Sequence, residues 1–411
     1  MNDYKYIIIG GGLAGQRAAQ GIRKVDIEGT AALVTAEPHV PYERPPLSKG
    51  YLMGKEGLDV AYLKDDAWYH ENGIALMKDL RVTGVDAGAH TVALGDGQEL
   101  TYQRLLLATG GHARRLPLPG ADLDNVFTLR TIEDSDAIRA AAEDTEQALV
   151  LGGSFIGSEV AASLTEMGVA VTMVFPESRL LERVLPEPFS DFLHGKFEGQ
   201  GVRILNGTTP ERLEGDGVVD RAVLSSGETL QVDLVVMGVG IRLNTELAEG
   251  AGLELTERGE VVVDEYLCTS DPDIYAAGDI AAWPDPTFER RLRVEHWDVA
   301  RRQGLRAGRN MAGEQKPYTA PPYFFSDMFD LSFEVWGNLM SWDRTVLRGE
   351  LGGPSYKLFY FDGRKLVGVL TVGTLGDARK VIPQLVKARL LHDDVAQALR
   401  DEGVHLSALI V

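Results

Sequence analysis

The sequence predicts an α/β protein of two nested three-layer units, each a parallel sheet between helices, followed by a C-terminal α+β domain. Three observations carry that prediction. A strand, glycine turn and helix open the chain; the same arrangement returns near residue 150; and beyond about Pro322 the texture changes to a hairpin and a helical tail. At 411 residues the chain exceeds one ordinary domain, and two or three are expected.

In order, "YIIIG" reads as a buried strand and "GGLAGQRAAQGIRKV" as a glycine turn entering a helix. A second strand, "AALVT", then runs toward Ala36 and Glu37, completing a βαβ unit. "EPHVPYERPPLSKGYL" is too proline-rich for a regular element and reads as a functional loop. "RLLLATGG" is a strand closing on a glycine turn, and "ARRLPLPG" a crossing linker. "ALVLGGSFIGSEVAASLTEMGVAVTMVFPE" repeats the opening, an internal echo. "LVVMGVG" ends that unit near Gly240, and after Asn244 the chain returns to the first unit with "IYAAGDI". "YKLFYFDGRKLVGVLTVG" is a hairpin about Asp362-Gly363. The boundaries expected are 1–113 with 243–321 for the first domain, 114–242 for the second, and 322–411 for the third.

Composition narrows the function. Net charge is −20 and the pI near 4.9, which argues against non-specific binding to nucleic acid or anionic membranes. Cys268 is the one cysteine, so an intramolecular disulfide, a CxxC redox pair and a cysteine zinc cluster are excluded. The eight histidines are scattered without metal-ligand spacing, and no metal site is expected. No signal peptide and no membrane-length apolar run is evident, so a cytoplasmic setting is expected.

Gly10, Gly12 and Gly15 form GxGxxG between strand and helix, where such glycines allow a tight turn, pyrophosphate approach and close helix packing. Glu37 lies 22 residues beyond the last glycine, placed to accept ribose hydroxyls. The second unit carries Gly152, Ser154 and Gly157, with Glu177 20 residues further on. Serine keeps the turn, although its side chain is expected to crowd the pyrophosphate slightly. Glu177 would repel a 2′-phosphate, favouring NADH over NADPH, while Arg179 and Arg183 nearby pull the other way. Two Rossmann-like dinucleotide folds imply two nucleotides brought together, naturally a flavin and a nicotinamide, with hydride transfer to the ring held by the first domain. The bland alternative is an α/β repeat without ligand.

The paired motifs, "ATGG" (Ala108 to Gly111), "IYAAGD" (Ile274 to Asp279) and "YERPPLSKGYL" (Tyr42 to Leu52) resemble the FAD-dependent pyridine nucleotide-disulfide oxidoreductases. "VFPE", "VEHWDVARRQG" and "YFFSDMFDLSFEVWG" resemble the branch of NADH:ferredoxin and rubredoxin reductases, monodehydroascorbate reductases and apoptosis-inducing factor. The likeness covers essentially the whole chain. It implies that Lys49 sits beside the flavin, paired with Glu159 of GxxxxGxE, where other members use a thiol. It implies further FAD contacts from Leu13, Ala14, Arg44, Pro45, Ala108, Thr109 and Gly110, with Asp279 on the ribityl chain. Glu295, His296 and Trp297 would open a helix whose positive end faces the flavin pyrimidine. On the nicotinamide side the likeness implies Phe155, Ile156 and Gly240, with Phe155 and Phe325 flanking the rings. Each phenylalanine alone is as often plain core.

Electrons are expected to leave singly for a ferredoxin-like iron–sulfur protein. Arg290, Arg291, Arg293, Arg301, Arg302, Arg306 and Arg309 could steer an acidic carrier, or could simply balance local carboxylates. Monodehydroascorbate reductases show "YFYS" where this chain has "YFFS" (Tyr323 to Ser326), which weakens a small-molecule acceptor such as an ascorbate radical. A quinone, or a redox-responsive NADH-binding role like that of apoptosis-inducing factor, is the remaining alternative. The sequence allows a homodimer. Cys268, read as lying in a strand, is expected to be inert.

Overall fold

The structure, a computed structural model, describes residues 2–339, 341–373, 376 and 378–410. The chain forms two compact units, one of residues 1–43, 61–112 and 243–324, the other of residues 44–60, 113–242 and 325–411.

In the first unit, β1 (Asp3–Ile9) is central, paired in parallel with Ala31–Val34 on one side and Glu99–Leu107 on the other. Ile74–Met77 extends one edge, also in parallel. On its far edge the Glu99–Leu107 strand serves two more neighbours: its end pairs in parallel with Ile274–Ala276, its start antiparallel with Thr91–Leu94. The buried runs Tyr6–Ile9 and Ala31–Val34 are apolar throughout rather than alternating, as a parallel strand covered on both faces requires.

Helix α1 (Leu13–Arg23) lies against the Trp297–Met311 helix at a distance that only small residues allow. A Cβ added at Gly304 would stand 2.1 Å from the Ala14 carbonyl oxygen, and one at Gly308 2.0 Å from that of Ala18. Gly21 is equally committed, its Cβ position being 2.4 Å from the Leu305 oxygen. The return of the chain after residue 243 is therefore built into the first helix.

The second unit contains β2 (Gln147–Leu151) and α2 (Phe155–Glu166), the core of an all-parallel five-stranded sheet. Its strand order is Arg203–Asn206, Ala170–Phe175, β2, Leu234–Met237, Val126–Thr128. A second, five-stranded sheet runs Tyr323–Met328, Leu331–Gly337, Lys365–Val372, Tyr356–Asp362, Arg344–Gly349, and its hairpin turns at Gly363 with φ +58°. The Glu187–Gly199 helix packs on that sheet through aromatic rings: Phe189 meets Phe333 edge-on at 5.3 Å, and Phe197 meets Phe329 at 5.0 Å. Phe189, Phe197 and Phe333 are almost fully buried, each contributing roughly 1.5–3 kcal/mol.

Two local readings need correcting. The proline stretch is not wholly irregular, because Pro45–Ser48 forms a 3-10 turn. Two prolines preset φ there and give up no donor that such a turn needs. Cys268 lies not in a strand but in a turn with an isolated bridge to Tyr275. Its backbone N–H is held by Asp264 at 2.9 Å, which ends the extended run.

Candidate functional site

In the first unit, Gly10 has φ +119°, and its Cβ position would lie 2.2 Å from the Ala108 oxygen. A Cβ on Gly15 would stand 2.0 Å from the Gly10 oxygen. These two glycines are fixed by the protein's own backbone. Gly12 is not: no atom of the described residues lies within 4 Å of its Cβ position. It caps α1 without a side-chain hydrogen bond, and the first turn, including Leu13 and Ala14, has no acidic residue. Gly12 thus brings no side chain to the start of α1, where the helix's leading N–H groups and positive end lie, an arrangement that suits a pyrophosphate.

Around this turn the fold gathers distant segments. Ala14 touches both the Gly304 backbone and Gly278, which has φ +81° and donates its N–H to Gln303 Oε1 at 2.9 Å. Asp279 follows directly, so its loop abuts the start of α1. Glu37 accepts from the Tyr42 hydroxyl. Thr109 donates to the Asn244 carbonyl at 2.5 Å, Gly110 accepts from the Asn244 N–H at 2.9 Å, and both fix the turn beyond Ala108.

His296 caps the Trp297–Met311 helix, its ring 4.5 Å from that of Phe324. Desolvation pushes its imidazole down to about 4, so it is neutral near pH 7. Burial pushes the Glu43 carboxyl up, and Trp297 nearby opposes that shift. Glu295 is exposed and ion-paired to Arg293 at 2.6 Å.

In the second unit, Gly152 has φ +111° with its Cβ position 2.4 Å from the Gly238 oxygen, and Gly157 would meet the Gly152 oxygen at 2.1 Å. Ser154 stands at the N-cap of α2. Its hydroxyl turns back to donate to the Gly238 carbonyl at 2.7 Å. Phe155 is half-buried and Ile156 exposed in the first turn of α2, which again lacks an acidic residue. Glu177 is ion-paired at 2.7 Å to Arg183, itself 80% exposed, while Arg179 is drawn away to Glu187 and Asp191. Gly240 has φ +92°, and its carbonyl accepts from Arg114.

Lys49 lies in this unit, and its ammonium is 2.7 Å from Glu159 Oε2. The carboxylate is 6% exposed, and a charge so buried needs compensation on each oxygen. Ser48 donates to Oε2 at 2.5 Å and Ser326 to Oε1 at 2.7 Å. The loop is pinned by α2 and the Ile132–Ala142 helix: Ser163 donates to the Ser48 carbonyl at 2.7 Å, Ser135 to that of Leu47 at 2.9 Å. Pro45 starts this turn, and Arg44 donates to the Arg130 carbonyl at 3.1 Å. Phe325, half-buried, sits beside Ser326 on the opposite face of its strand.

The serine donors escaped sequence reasoning, and so did Gly278, Gly304 and Gly308. The only available signal was small residues beside predicted site positions, which is too common to act on. The arginine group falls into separate sets. Arg291 is committed to the carbonyls of Val263 and Ala282, and Arg293 to Glu260 and Glu295. Arg301 and Arg302 share Asp298, and Arg306 and Arg309 share Glu314. Burial pushes the Cys268 thiol up to about 11. No group of metal-ligating side chains occurs among the described residues, nor any helix long and apolar enough to cross a membrane.

Residues 4–304 match the pyridine nucleotide-disulphide oxidoreductase family, and residues 323–410 match a family described as reductase C-terminal. The chain is 36% identical over 364 residues to the ferredoxin reductase subunit of a 5,5'-dehydrodivanillate O-demethylase from Sphingobium sp., covering 88% of each chain. It is 34% identical over 430 residues to monodehydroascorbate reductase 3 of Arabidopsis thaliana, covering 98% of this chain and 96% of that one. The solved structure of a ferredoxin reductase from Rhodopseudomonas palustris is similar with a TM-score of 0.93 at 32% identity, covering 99% of this chain and 100% of that one.

Proposed function

The chain belongs to the pyridine nucleotide-disulphide oxidoreductase family, and we propose that it acts there as an FAD-dependent NADH reductase serving a ferredoxin-like iron–sulfur protein. The observation that carries the reading is the buried Lys49–Glu159 pair in a chain whose one cysteine, Cys268, is in a turn of the other unit. Disulfide chemistry needs two thiols, so the family's dithiol activity is out.

When bound, FAD supplies a ring that takes a hydride from NADH and releases the electrons one at a time. The chain's own residues hold, orient and charge-balance. Gly10, Gly12 and Gly15, with the N–H groups from Leu13 to Gly15, would take the FAD pyrophosphate, and Glu37 the ribose hydroxyls. Asp279 would take the ribityl hydroxyls. Gly152, Ser154 and Gly157 would take the NADH pyrophosphate, and Glu177 its adenosine ribose. Lys49 would stabilise negative charge on the reduced ring, and Glu159, 2.7 Å from the ammonium, would keep it aimed. In the first unit, the positive end of the Trp297–Met311 helix, with neutral His296 at its cap, would favour negative charge on a ring bound before it. Phe155 and Phe325 would shield the reacting rings from water. On this reading residues 1–113 and 243–321 bind FAD, 114–242 bind NADH, and 322–411 form the third domain.

The acceptor follows from charge as well as from relatives. Arg301, Arg302, Arg306, Arg309 and Lys316 share two carboxylates, Asp298 and Glu314, leaving a cationic face on a protein of net charge −20. Acidic iron–sulfur carriers are steered to such a face, and the encounter slows as salt rises. A monodehydroascorbate acceptor is the second reading, carried by the Arabidopsis relative. Phe325, without a hydroxyl, speaks against it. A cytoplasmic setting and a homodimer are carried with the proposal, the latter read by light scattering.

The test is anaerobic stopped-flow of the yellow protein with NADH and NADPH, followed by acceptor screening. Fast bleaching by NADH and salt-sensitive turnover with a ferredoxin are expected. Slow bleaching into a persistent charge-transfer band, with no acceptor turned over, would overturn the reductase role in favour of a sensor.

A further inference from the structure

We infer that Ser48 and Ser326 are positioning residues, a two-sided clamp that holds the Glu159 carboxylate in one orientation so that Lys49 keeps a single place during flavin reduction. The inference deepens, and rests on, the reductase reading above.

A glutamate's terminal torsion is broad, and a lysine head on its four-carbon stem is a mobile point charge. An ion pair between the two therefore does not fix a position by itself. Here the carboxylate is gripped at both oxygens, by Ser48 at 2.5 Å on the oxygen that meets Lys49 and by Ser326 at 2.7 Å on the other. Rotation of the carboxylate would break both hydroxyl bonds at once. Ser48 and Ser326 are 1% and 0% exposed, so water cannot readily take their place. Hydroxyls suit the task because they support the negative charge without competing with Lys49 for it; a second cation would draw the carboxylate away.

The two donors come from different elements. Ser48 closes the 3-10 turn that delivers Lys49, and its own carbonyl is bound by Ser163 of α2. Ser326 is on an inward position of the Tyr323–Met328 strand, one residue from Phe325. The register that buries Ser326 also turns Phe325 the other way, so one strand sets both the clamp and the aromatic neighbour.

The test is a double-mutant cycle on the FAD-loaded protein, Ser326→Ala with Glu159→Gln, with FAD content and Tm recorded for every variant. Two readouts are taken: the rate of flavin bleaching at saturating NADH, and the flavin midpoint potential from titration with a chemical reductant, which needs no NADH. In the Glu159 background, Ser326→Ala is expected to slow bleaching about tenfold, the weight of one hydrogen bond to a charged group. It should also move the potential to a more negative value, without changing FAD content or the NADH concentration for half-saturation. In the Glu159→Gln background the same change should have less than about twofold effect, since no carboxylate is left to orient. Equal effects in both backgrounds would mark Ser326 as merely structural and overturn the inference, as would no effect in either. If Ser326→Ala does not fold, Ser48→Ala completes the same cycle from the other side. A wild-type flavin untouched by NADH would instead sink the reductase reading, while the potentials would still decide whether the clamp acts.

Discussion

Gly12 and Ser154 occupy the same place in the two glycine turns, each capping the following helix, with φ/ψ of −79/−177° and −87/179°. The flanking glycines are equally matched. Gly10 and Gly152 both have strongly positive φ, and Gly15 and Gly157 both press on the carbonyl of the first glycine at about the same distance, 2.0 and 2.1 Å. The difference is confined to the middle residue. Gly12 faces open space, whereas Ser154 turns its hydroxyl to Gly238. Gly238 stands to the second turn as Ala108 does to the first, since each carbonyl crowds the leading glycine. The outer glycines thus answer to the protein's own backbone, and the middle position answers to whatever approaches the helix.

The largest expected effect breaks the equivalence of the two units. Gly15→Ala should abolish FAD binding and destabilise the first unit, because a Cβ 2.0 Å from a backbone oxygen cannot be housed without moving the turn. Gly157→Ala should instead spare the FAD content and abolish reduction by NADH. Absorbance at the flavin band and bleaching by NADH separate the two; loss of FAD from both variants would show that the turns are not independent.

A smaller effect concerns the residue that only the second unit receives. Lys49→Met is expected to slow bleaching by roughly 10–100-fold, a loss of a few kcal/mol of charge stabilisation, with little change in Tm. The small stability cost follows from the clamp: Glu159 keeps both hydroxyl donors when the ammonium goes. Glu159→Ala removes the partner of a mostly buried lysine and should lower Tm more, by the larger cost of stranding a charge. The opposite order of Tm values would argue against hydroxyl support of the carboxylate.

The smallest effect sharpens the comparison at the middle position. Gly12→Ser should keep its fold, with the new hydroxyl donating to the Ala108 carbonyl as Ser154 donates to Gly238. FAD affinity should fall by no more than about tenfold, within the worth of one hydrogen bond. Ser154→Gly should change NADH affinity by less than about threefold. Isothermal titration with FAD and NADH reads both, and complete loss of FAD from Gly12→Ser would mean that the first site has no room for even a folded-back side chain.

Much of this was legible in advance where the determinant was local. The glycine spacing, the apolar runs of parallel strands and the hairpin at Gly363 each depend on backbone conformation over a few residues, and sequence periodicity reports that directly. The arginine group was legible only in part, for the complementary reason. Charge density along the chain says nothing of which carboxylates or carbonyls fold against it, and Arg291 and Arg293 turned out to be bound inside the unit. The direction of the Ser154 hydroxyl was illegible for a subtler reason, since its χ1 rotamer is set by the Gly238 carbonyl, 84 residues away.

By itself, then, the sequence determined the two dinucleotide turns, the absence of a dithiol, and the delivery of Lys49 by a stiff proline loop. Tertiary structure alone decided what holds that lysine's partner. Ser48 and Ser326 reach Glu159 across 111 and 167 residues of chain, and no local pattern links residues so far apart. A hydroxyl is a generic donor. Only the packing of a 3-10 turn and an inward strand position against one buried carboxylate makes these two serines specific.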